Sequence, residues 1–279
     1  MRTIVAIPSD THCGSTIGLC PPKQVQLDDG GYYNPSRGQK EVLWKMWEQG
    51  WDRVRELRKK SRLIIVHNGD SVEGTHDHVM GVVSRRRETQ ERIHIDCMDW
   101  AFRKSKFKND DLLYYMRGTK WHVGRGAESD ERIAEDLDAI PSEASFSHYH
   151  LRLDVDGVLL DIAHHGVNAG TRAWTKENAL YHTIKSIYFD NVERNQPVPR
   201  AWIRSHYHVW VDPPTYKGNH GKITGFITPS FQLITPFGIK VGKAIKLASI
   251  GLLILIIENG ELDWECHQVE YQHAPIIRV

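Results

Sequence analysis

Aspartate and histidine recur in five short stretches, each of which comes directly after an apolar run. The stretches read SDTH (9–12), NGD (68–70), RGTKWH (117–122), AHHG (163–166) and SHYH (205–208). Carboxylate oxygens and imidazole nitrogens are the atoms that Mn, Fe and Zn accept as ligands, and none of the five stretches contains a cysteine. The sequence therefore predicts a metal site, with the following candidate ligands: Asp10, His12, Asp70, His165, His206 and His208.

The number of candidate ligands predicts more than one ion. A single catalytic ion keeps a coordination position open for water or substrate, so six protein ligands are too many for it. Two ions that share a bridging carboxylate would use all six. We expect two divalent ions per chain, with Mn as the first choice and Fe, Zn or Ni as alternatives.

The elements before these stretches are predicted to be buried strands. TIVAI (3–7), RLIIVH (62–67) and DLLYYM (111–116) are short apolar runs, and LLDIA and AWIR precede the last two stretches. In α/β sheets the carboxyl ends of strands form the ligand-binding edge. We therefore expect the Asp and His side chains to meet there.

The remaining pattern predicts a layered α/β fold. Helical spacing of apolar residues predicts a helix over 40–60, with its tryptophans in the core. Other predicted helices cover about 84–106, 128–140 and 174–195; a hairpin covers 149–166, strands cover 200–210 and 247–257, and a loop covers 13–38. Strand and helix alternate first and strands dominate later, which favours an α/β sandwich. No linker or low-complexity stretch divides the chain, so we expect one domain over 1–279.

Composition narrows the functional classes. The net charge of +1 gives no global field that would indicate nucleic acid or membrane. The longest apolar run, 247–257, is far shorter than the ~20 residues of a membrane-spanning helix. Four scattered cysteines without a CxxC pair, and an N-terminal apolar run too short for a signal peptide, predict a cytoplasmic protein without a membrane partner.

The five stretches resemble, in order, the signature blocks of the calcineurin-like metallophosphoesterases. The family forms are DxH, GD, GNH followed by an acid, H before G, and GHxH. The resemblance spans residues 10 to 208. Phage-encoded members have similar GT..H and H.H blocks, so the chain is also similar to that group.

The resemblance implies a four-layer αββα sandwich of two mixed β-sheets flanked by helices, with a dinuclear site between the sheets. One ion would be held by Asp10, His12, Asp70 and His208, and the other by Asp70, His165, His206 and a residue of the third block. Asp70 would bridge. A hydroxide shared by the two ions would then attack phosphorus in line with the leaving oxygen.

The third block departs from the family pattern. The family's Asn, a neutral oxygen ligand, falls at Thr119, and its His falls at Lys120. In one interpretation the loop is two residues longer, and His122 takes the place of the catalytic His that stabilises the transition state or protonates the leaving group. In a second, His122 is itself the missing ligand. In a third, the block has decayed and the second ion binds weakly.

The other two differences concern the last blocks. Ser205 stands where the family has Gly, and because Ser is small we expect a modest local change. In AHHG the family's ligand precedes Gly, which favours His165. Neighbours on a strand point to opposite faces, so His164 is expected to face away, and it is retained only as a further candidate ligand or supporting residue.

Weaker candidates surround these blocks. Asn68 and Glu73 flank Asp70, and both residues, like Thr119, are candidates either for binding the metal or for supporting its ligands. The candidate substrate contacts are His76, His78, Lys120 and Arg117.

The family hydrolyses phosphomonoesters, phosphodiesters, cyclic nucleotides and nucleic acids, and fold does not choose among them. Arg-rich runs over 84–94 and 55–60 could follow a phosphate backbone, which favours a phosphodiesterase acting on DNA. The alternatives are a phosphomonoesterase and a non-catalytic, phosphoesterase-like subunit that binds nucleic acid. The oligomeric state is not predicted.

Overall fold

The computed structural model describes residues 2–75, 81–167, 175–234 and 248–271. They form a mixed α/β structure with three sheets and five α-helices, which confirms the predicted class. The strands are β1 Arg2–Ile7, β2 Val25–Gln26, β3 Tyr32–Tyr33, β4 Arg62–His67, β5 Leu112–Met116, β6 Ser147–His148, β7 Leu151–Val155, β8 Val158–Ile162, β9 Ala201–Arg204, β10 Thr215–Gly218, β11 Gly221–Ile227, β12 Ala248–Glu258 and β13 Glu261–Tyr271. The helices are α1 Lys45–Arg58, α2 Arg87–Ser105, α3 Lys120–Val123, α4 Glu128–Asp136 and α5 Asn178–Glu193, and a π-helical turn, Gln39–Trp44, leads into α1.

The two larger sheets are both mixed. The six-stranded sheet has the order β13-β12-β1-β4-β5-β6, in which β1, β4, β5 and β6 run parallel and β12 and β13 are antiparallel to their neighbours. The five-stranded sheet has the order β10-β11-β9-β8-β7, with β8, β9 and β11 parallel. The parallel strands of each sheet therefore bring their carboxyl ends to a common edge.

Three apolar clusters hold these elements together. In the six-stranded sheet, side chains alternate between two clusters, because neighbours on a strand face opposite sides. Ile4 packs with Trp47 and Trp51 of α1, whereas Val5 packs with Ile203 of β9. The third cluster joins α5 to the five-stranded sheet through Leu180, Ile184, Trp202 and Ile223.

Most predicted elements are present. The tryptophan-rich helix over 40–60 is confirmed, and Trp44, Trp47 and Trp51 are buried. The hairpin turns at Asp156 and Gly157, both with positive φ, as a tight two-residue turn requires.

Two local predictions were wrong, and one short helix was missed. The predicted strand over 200–210 ends at Arg204, because the backbone turns into the left-handed region at His206. The predicted loop over 13–38 contains the short pair β2–β3, and the sequence did not predict α3.

Within the four described ranges, no helix has both the length and the apolar character needed to cross a bilayer. The longest helix, α2, spans Arg87–Ser105 and carries charged residues along its length.

Candidate metal centre

The Asp and His residues lie at the ends of five strands, as the sequence predicts. Strands β1, β4 and β5 of the larger sheet and strands β8 and β9 of the smaller sheet each lead directly into one of the five stretches. The side chains from both sheets then approach one another, as the distances below show.

Five of these residues have an unusual backbone conformation. Among the described residues, twelve other than glycine have positive φ, and five of these are Asp10 (49°), His12 (43°), Asp70 (52°), His206 (77°) and His208 (57°). The left-handed region is unfavourable for residues with a Cβ, and such residues concentrate at functional sites. The backbone is therefore bent at the points where it must aim these side chains inward.

A first cluster joins Asp10, His12 and His208. The Nε2 atoms of His12 and His208 lie 3.2 Å apart, and Asp10 Oδ1 lies 3.2 Å from His208 Nε2 and 4.0 Å from His12 Nε2. Ligand atoms bound to one ion at 2.0–2.2 Å lie roughly 3.0–3.5 Å from their neighbours. The first two separations fall in that range and the third is longer, so the three side chains could hold a single ion after a small adjustment.

Outer residues hold the first cluster in place. His12 Nδ1 lies 3.0 Å from Glu73 Oε2, and Gln232 Nε2 donates to the same oxygen at 2.7 Å. A carboxylate on the far nitrogen of a metal-binding histidine fixes the ring and makes it a better ligand. Glu73 was a weak sequence candidate, whereas Gln232 gave no sequence signal because it is more than 150 residues away.

A second cluster joins Asp70, His164, His165 and His206 around the hydroxyl of Thr119. Thr119 Oγ1 lies 3.1 Å from Asp70 Oδ2, 3.4 Å from His164 Nε2, 3.3 Å from His165 Nε2 and 3.2 Å from His206 Nδ1. The Thr119 N–H also donates to Asp70 Oδ1 at 2.5 Å. The Thr119 hydroxyl therefore lies among the four side chains of the second cluster.

The two clusters meet at Asp70. Ligand atoms of Asp10, Asp70 and His164 lie within 4.8 Å of one another, as do those of His164, His165 and His206. Glycines allow this close approach: a Cβ at Gly118 would lie 2.3 Å from Asp70 N. A glycine at position 118 thus leaves the space that Asp70 occupies.

The expectation that His164 faces away from the site is wrong. His164 Nε2 lies 3.0 Å from Asp70 Oδ2, and its Nδ1 donates to the Asn68 carbonyl at 2.7 Å. Strand β8 ends at Ile162, so the alternation of faces no longer applies at the two histidines. His165 also reaches the second cluster but is exposed.

His122 lies against the first cluster. Its ring meets that of His12 edge-on, with centroids 4.5 Å apart, and its Nδ1 lies 2.8 Å from the Glu73 carbonyl. A carbonyl can only accept, so Nδ1 carries the hydrogen and Nε2 of the neutral ring keeps its lone pair. Metal-binding histidines are commonly held in this way, through a backbone carbonyl on the other nitrogen.

Burial and charge shift the pKa values of the site in opposite directions. Burial raises the pKa of Asp10 and of Asp70, but the histidines around them, His208 and His164 foremost, bring both pKa values well below the ordinary value. Burial lowers the pKa of His164, but Asp70 and Asp10 raise it to about 10. The folded chain thus buries carboxylate and imidazolium charges beside one another. Burying a charge is costly unless the charge is paired or coordinates a metal.

The pKa values of His12 and His122 are shifted in opposite directions. Burial lowers the pKa of His12, but Glu73 raises it to about 9. Burial, with the charge of His12, lowers the pKa of His122 to about 4. Burial and the charge of His12 therefore both favour the neutral form of the His122 ring.

Residues behind the ligands connect the strand ends. Asn68 Nδ2 donates to Ser205 Oγ at 2.6 Å, and Ser205 Oγ lies 2.7 Å from Thr228 Oγ1. Ser205 therefore takes part in a buried hydrogen-bond network, which a glycine there could not do.

Asp130 is a residue of this region that the sequence candidates did not include. Its carboxylate accepts hydrogen bonds from Ser71 Oγ and from Gly118 N, and burial raises its pKa to about 6.

The structure describes two of the four candidate substrate contacts, and these two differ in exposure. Lys120 is exposed at the start of α3, beside Thr119. Arg117 is paired with Glu131 at 2.7 Å and is largely buried. His76 and His78 lie outside the described residues.

The buried His and Asp clusters could hold metal ions. The donor set is made of imidazole nitrogens and carboxylate oxygens, and the rings of His12, His122 and His164 each have an acceptor at Nδ1. No family model matches the chain, and no curated protein matches its sequence.

Proposed function

We propose that the protein is a metal-dependent phosphoesterase of the calcineurin-like type, most specifically a phosphodiesterase that acts on nucleic acid. The observation that supports this proposal most is the pair of ligand clusters that meet at Asp70. Their ligand atoms come from five strand ends. Two divalent ions, with Mn as the first choice, would be held there.

The residues divide between the two ions as follows. Asp10, His12, His208 and His122 would hold one, and His164, His165 and His206 would hold the other, with Thr119 as an oxygen donor and Asp70 between them. This differs from the family assignment by including His164 and by placing His122 at the first ion. Bound ions would supply charge that polarises a phosphoryl oxygen and lowers the pKa of a water molecule.

The fold supports the same proposal. Side chains of the six-stranded sheet face α1 on one side and the five-stranded sheet on the other, and the five-stranded sheet packs on α5. This order is what a four-layer αββα sandwich requires. Because the middle cluster takes side chains from both sheets, we propose a single domain.

A purified-protein assay tests the function. Protein stripped of metal and reloaded with Mn is assayed against bis-p-nitrophenyl phosphate, a diester, and p-nitrophenyl phosphate, a monoester. We expect Mn-dependent hydrolysis with preference for the diester, and two ions per chain at saturation. Asp70→Asn should abolish turnover, whereas Asp263→Asn, on the exposed part of β13, should not.

Several results would contradict the proposal. Metal content of one ion or less at saturation, or near wild-type turnover in Asp70→Asn, would exclude a dinuclear site. Preference for the monoester would identify a phosphomonoesterase. Metal binding without hydrolysis of either ester would identify a non-catalytic binding protein.

A further inference from the structure

A cleft of about 380 Å³ opens beside the second ligand cluster. Thr119 and His165, which belong to that cluster, also form part of the cleft wall. Ligand sites for small molecules span about 300–1,000 Å³, so the cleft has room for one or two rings and the groups attached to them. A substrate held at the clusters would extend into it.

Two exposed aromatic rings line this cleft. In the described ranges, five large hydrophobic side chains are exposed, and two of them are Trp121 (60% exposed) and Tyr149 (71% exposed). Single exposed apolar side chains are common on proteins, whereas several exposed in one cleft indicate a surface that binds something. Here they come from separate parts of the chain, α3 and the segment between β6 and β7.

A cation lies against each ring. The Arg117 guanidinium is 4.1 Å from the centre of the Tyr149 ring, and Lys120 Nζ is 4.9 Å from that of Trp121. Arg117 is fixed by Glu131 and by hydrogen bonds to Ser145 and Ser147, so it forms a rigid support for Tyr149.

The cleft also has positive charge that its own side chains do not neutralise. Lys120 and Arg125 are exposed at its rim, and within the part of the chain that the structure describes neither has a carboxylate partner. Arg117, by contrast, is already paired with Glu131. Two unneutralised cations next to two exposed rings match a ligand that alternates phosphates with flat bases.

We propose that this cleft binds the nucleotides next to the scissile phosphate of a single-stranded nucleic acid, with bases on Trp121 and Tyr149 and phosphates at Lys120 and Arg125. The proposal rests on the proposed function for the scissile phosphate. Single strands bind proteins by this combination of stacking and backbone charge. A duplex keeps its bases stacked internally and presents base faces only at its ends.

Binding is measured by fluorescence anisotropy of a labelled oligothymidylate with the full chain, with chelator present so that no cleavage occurs. We expect Trp121→Ala and Tyr149→Ala each to weaken binding about 5–150-fold, the usual worth of one stacked base. Tyr32→Ala and Phe189→Ala are matched controls, because these rings are 62% and 44% exposed on other surfaces, and should leave binding unchanged.

Charge is tested separately. Lys120→Gln and Arg125→Gln should each reduce the slope of log affinity against log salt by about 0.7, the value for one phosphate contact on a single strand. A hairpin duplex of the same length should bind more weakly than the single strand.

The outcomes separate this proposal from the proposed function. No binding of the single strand by the wild type, unchanged binding in both ring variants, or preference for the duplex would overturn the cleft assignment, even if bis-p-nitrophenyl phosphate is hydrolysed. Binding that depends on both rings, without hydrolysis of any ester, would support the cleft and refute the phosphoesterase.

Discussion

His164 Nε2 lies 3.0 Å from Asp70 Oδ2, and both side chains are almost completely buried. The His164 Nδ1–H is already donated to the Asn68 carbonyl, so Nε2 is the atom directed at the clusters. His165, its neighbour in sequence, is more exposed and contacts Thr119. The two histidines therefore differ in how firmly they are held.

This difference predicts unequal effects of two substitutions. His164→Ala should lower Mn affinity more than 100-fold, beyond the 10–100-fold typical of a supporting residue, and His165→Ala should lower it less. Mn titration of both variants by calorimetry measures this. A larger loss in His165→Ala would restore the assignment that the family pattern favours.

Glu73 is predicted to strengthen metal binding without touching the ion. Its carboxylate faces His12 Nδ1 at 3.0 Å, so Glu73→Gln removes the charge that makes His12 a better ligand. We expect Mn affinity at one of the two ions to fall 10–100-fold. Glu41→Gln, which alters an exposed pair with Arg37, is the control. Equal Mn affinity in the two variants would contradict the role of Glu73.

His122 is predicted to act as a ligand rather than as an acid. Its Nδ1 hydrogen is donated to the Glu73 carbonyl, which leaves a lone pair on Nε2. We therefore expect His122→Ala to lose one ion, to regain part of its rate with added Mn, and to lose rate equally on esters with good and poor leaving groups.

Metal content and rate measured on the same sample decide this. If both ions remain and kcat falls about 10²–10⁴-fold only for poor leaving groups, His122 protonates the leaving oxygen. If metal content and rate are both unchanged, His122 has no part in the site.

Asp161 is predicted to stabilise the strand end that carries His206. Arg204, the last residue of β9, donates to Asp161 Oδ1 at 2.8 Å, and both side chains are buried. Removing one partner of a buried pair is strongly destabilising, so Asp161→Asn should lower the free energy of unfolding by about 3 kcal/mol at neutral pH. Urea denaturation measures this free energy. Glu261→Gln is the control, because Glu261 belongs to an exposed ion pair, and we expect it to leave the free energy of unfolding unchanged.

The Asp161 contribution should depend on pH in one direction. Burial raises its pKa, but His150 and Arg204 outweigh burial and hold it below the ordinary value. A carboxyl whose pKa is lower in the folded state stabilises above its unfolded pKa and loses this contribution as pH falls. The difference between wild type and Asp161→Asn should therefore shrink below about pH 4. A difference that is the same at pH 3 and pH 7 would contradict this.

Much of the site could be predicted from the sequence because it depends on strand ends. Asp10, His12, Asp70, His206 and His208 follow short apolar runs, and parallel strands place their carboxyl ends at one edge whatever their order in the sheet. The residue types and the place of each residue along the chain were therefore enough to predict which side chains would meet.

The tertiary structure determined several contacts that the local sequence pattern could not predict. His164 turned inward because β8 ended two residues earlier, and that end depends on pairing with β9. Gln232 and Asp130 reached the site from distant segments, and Trp121 and Tyr149 came together only when α3 and the segment between β6 and β7 packed beside the same edge. Such contacts depend on how elements pack in space, whereas spacing along the chain reports only which face of one element a side chain occupies.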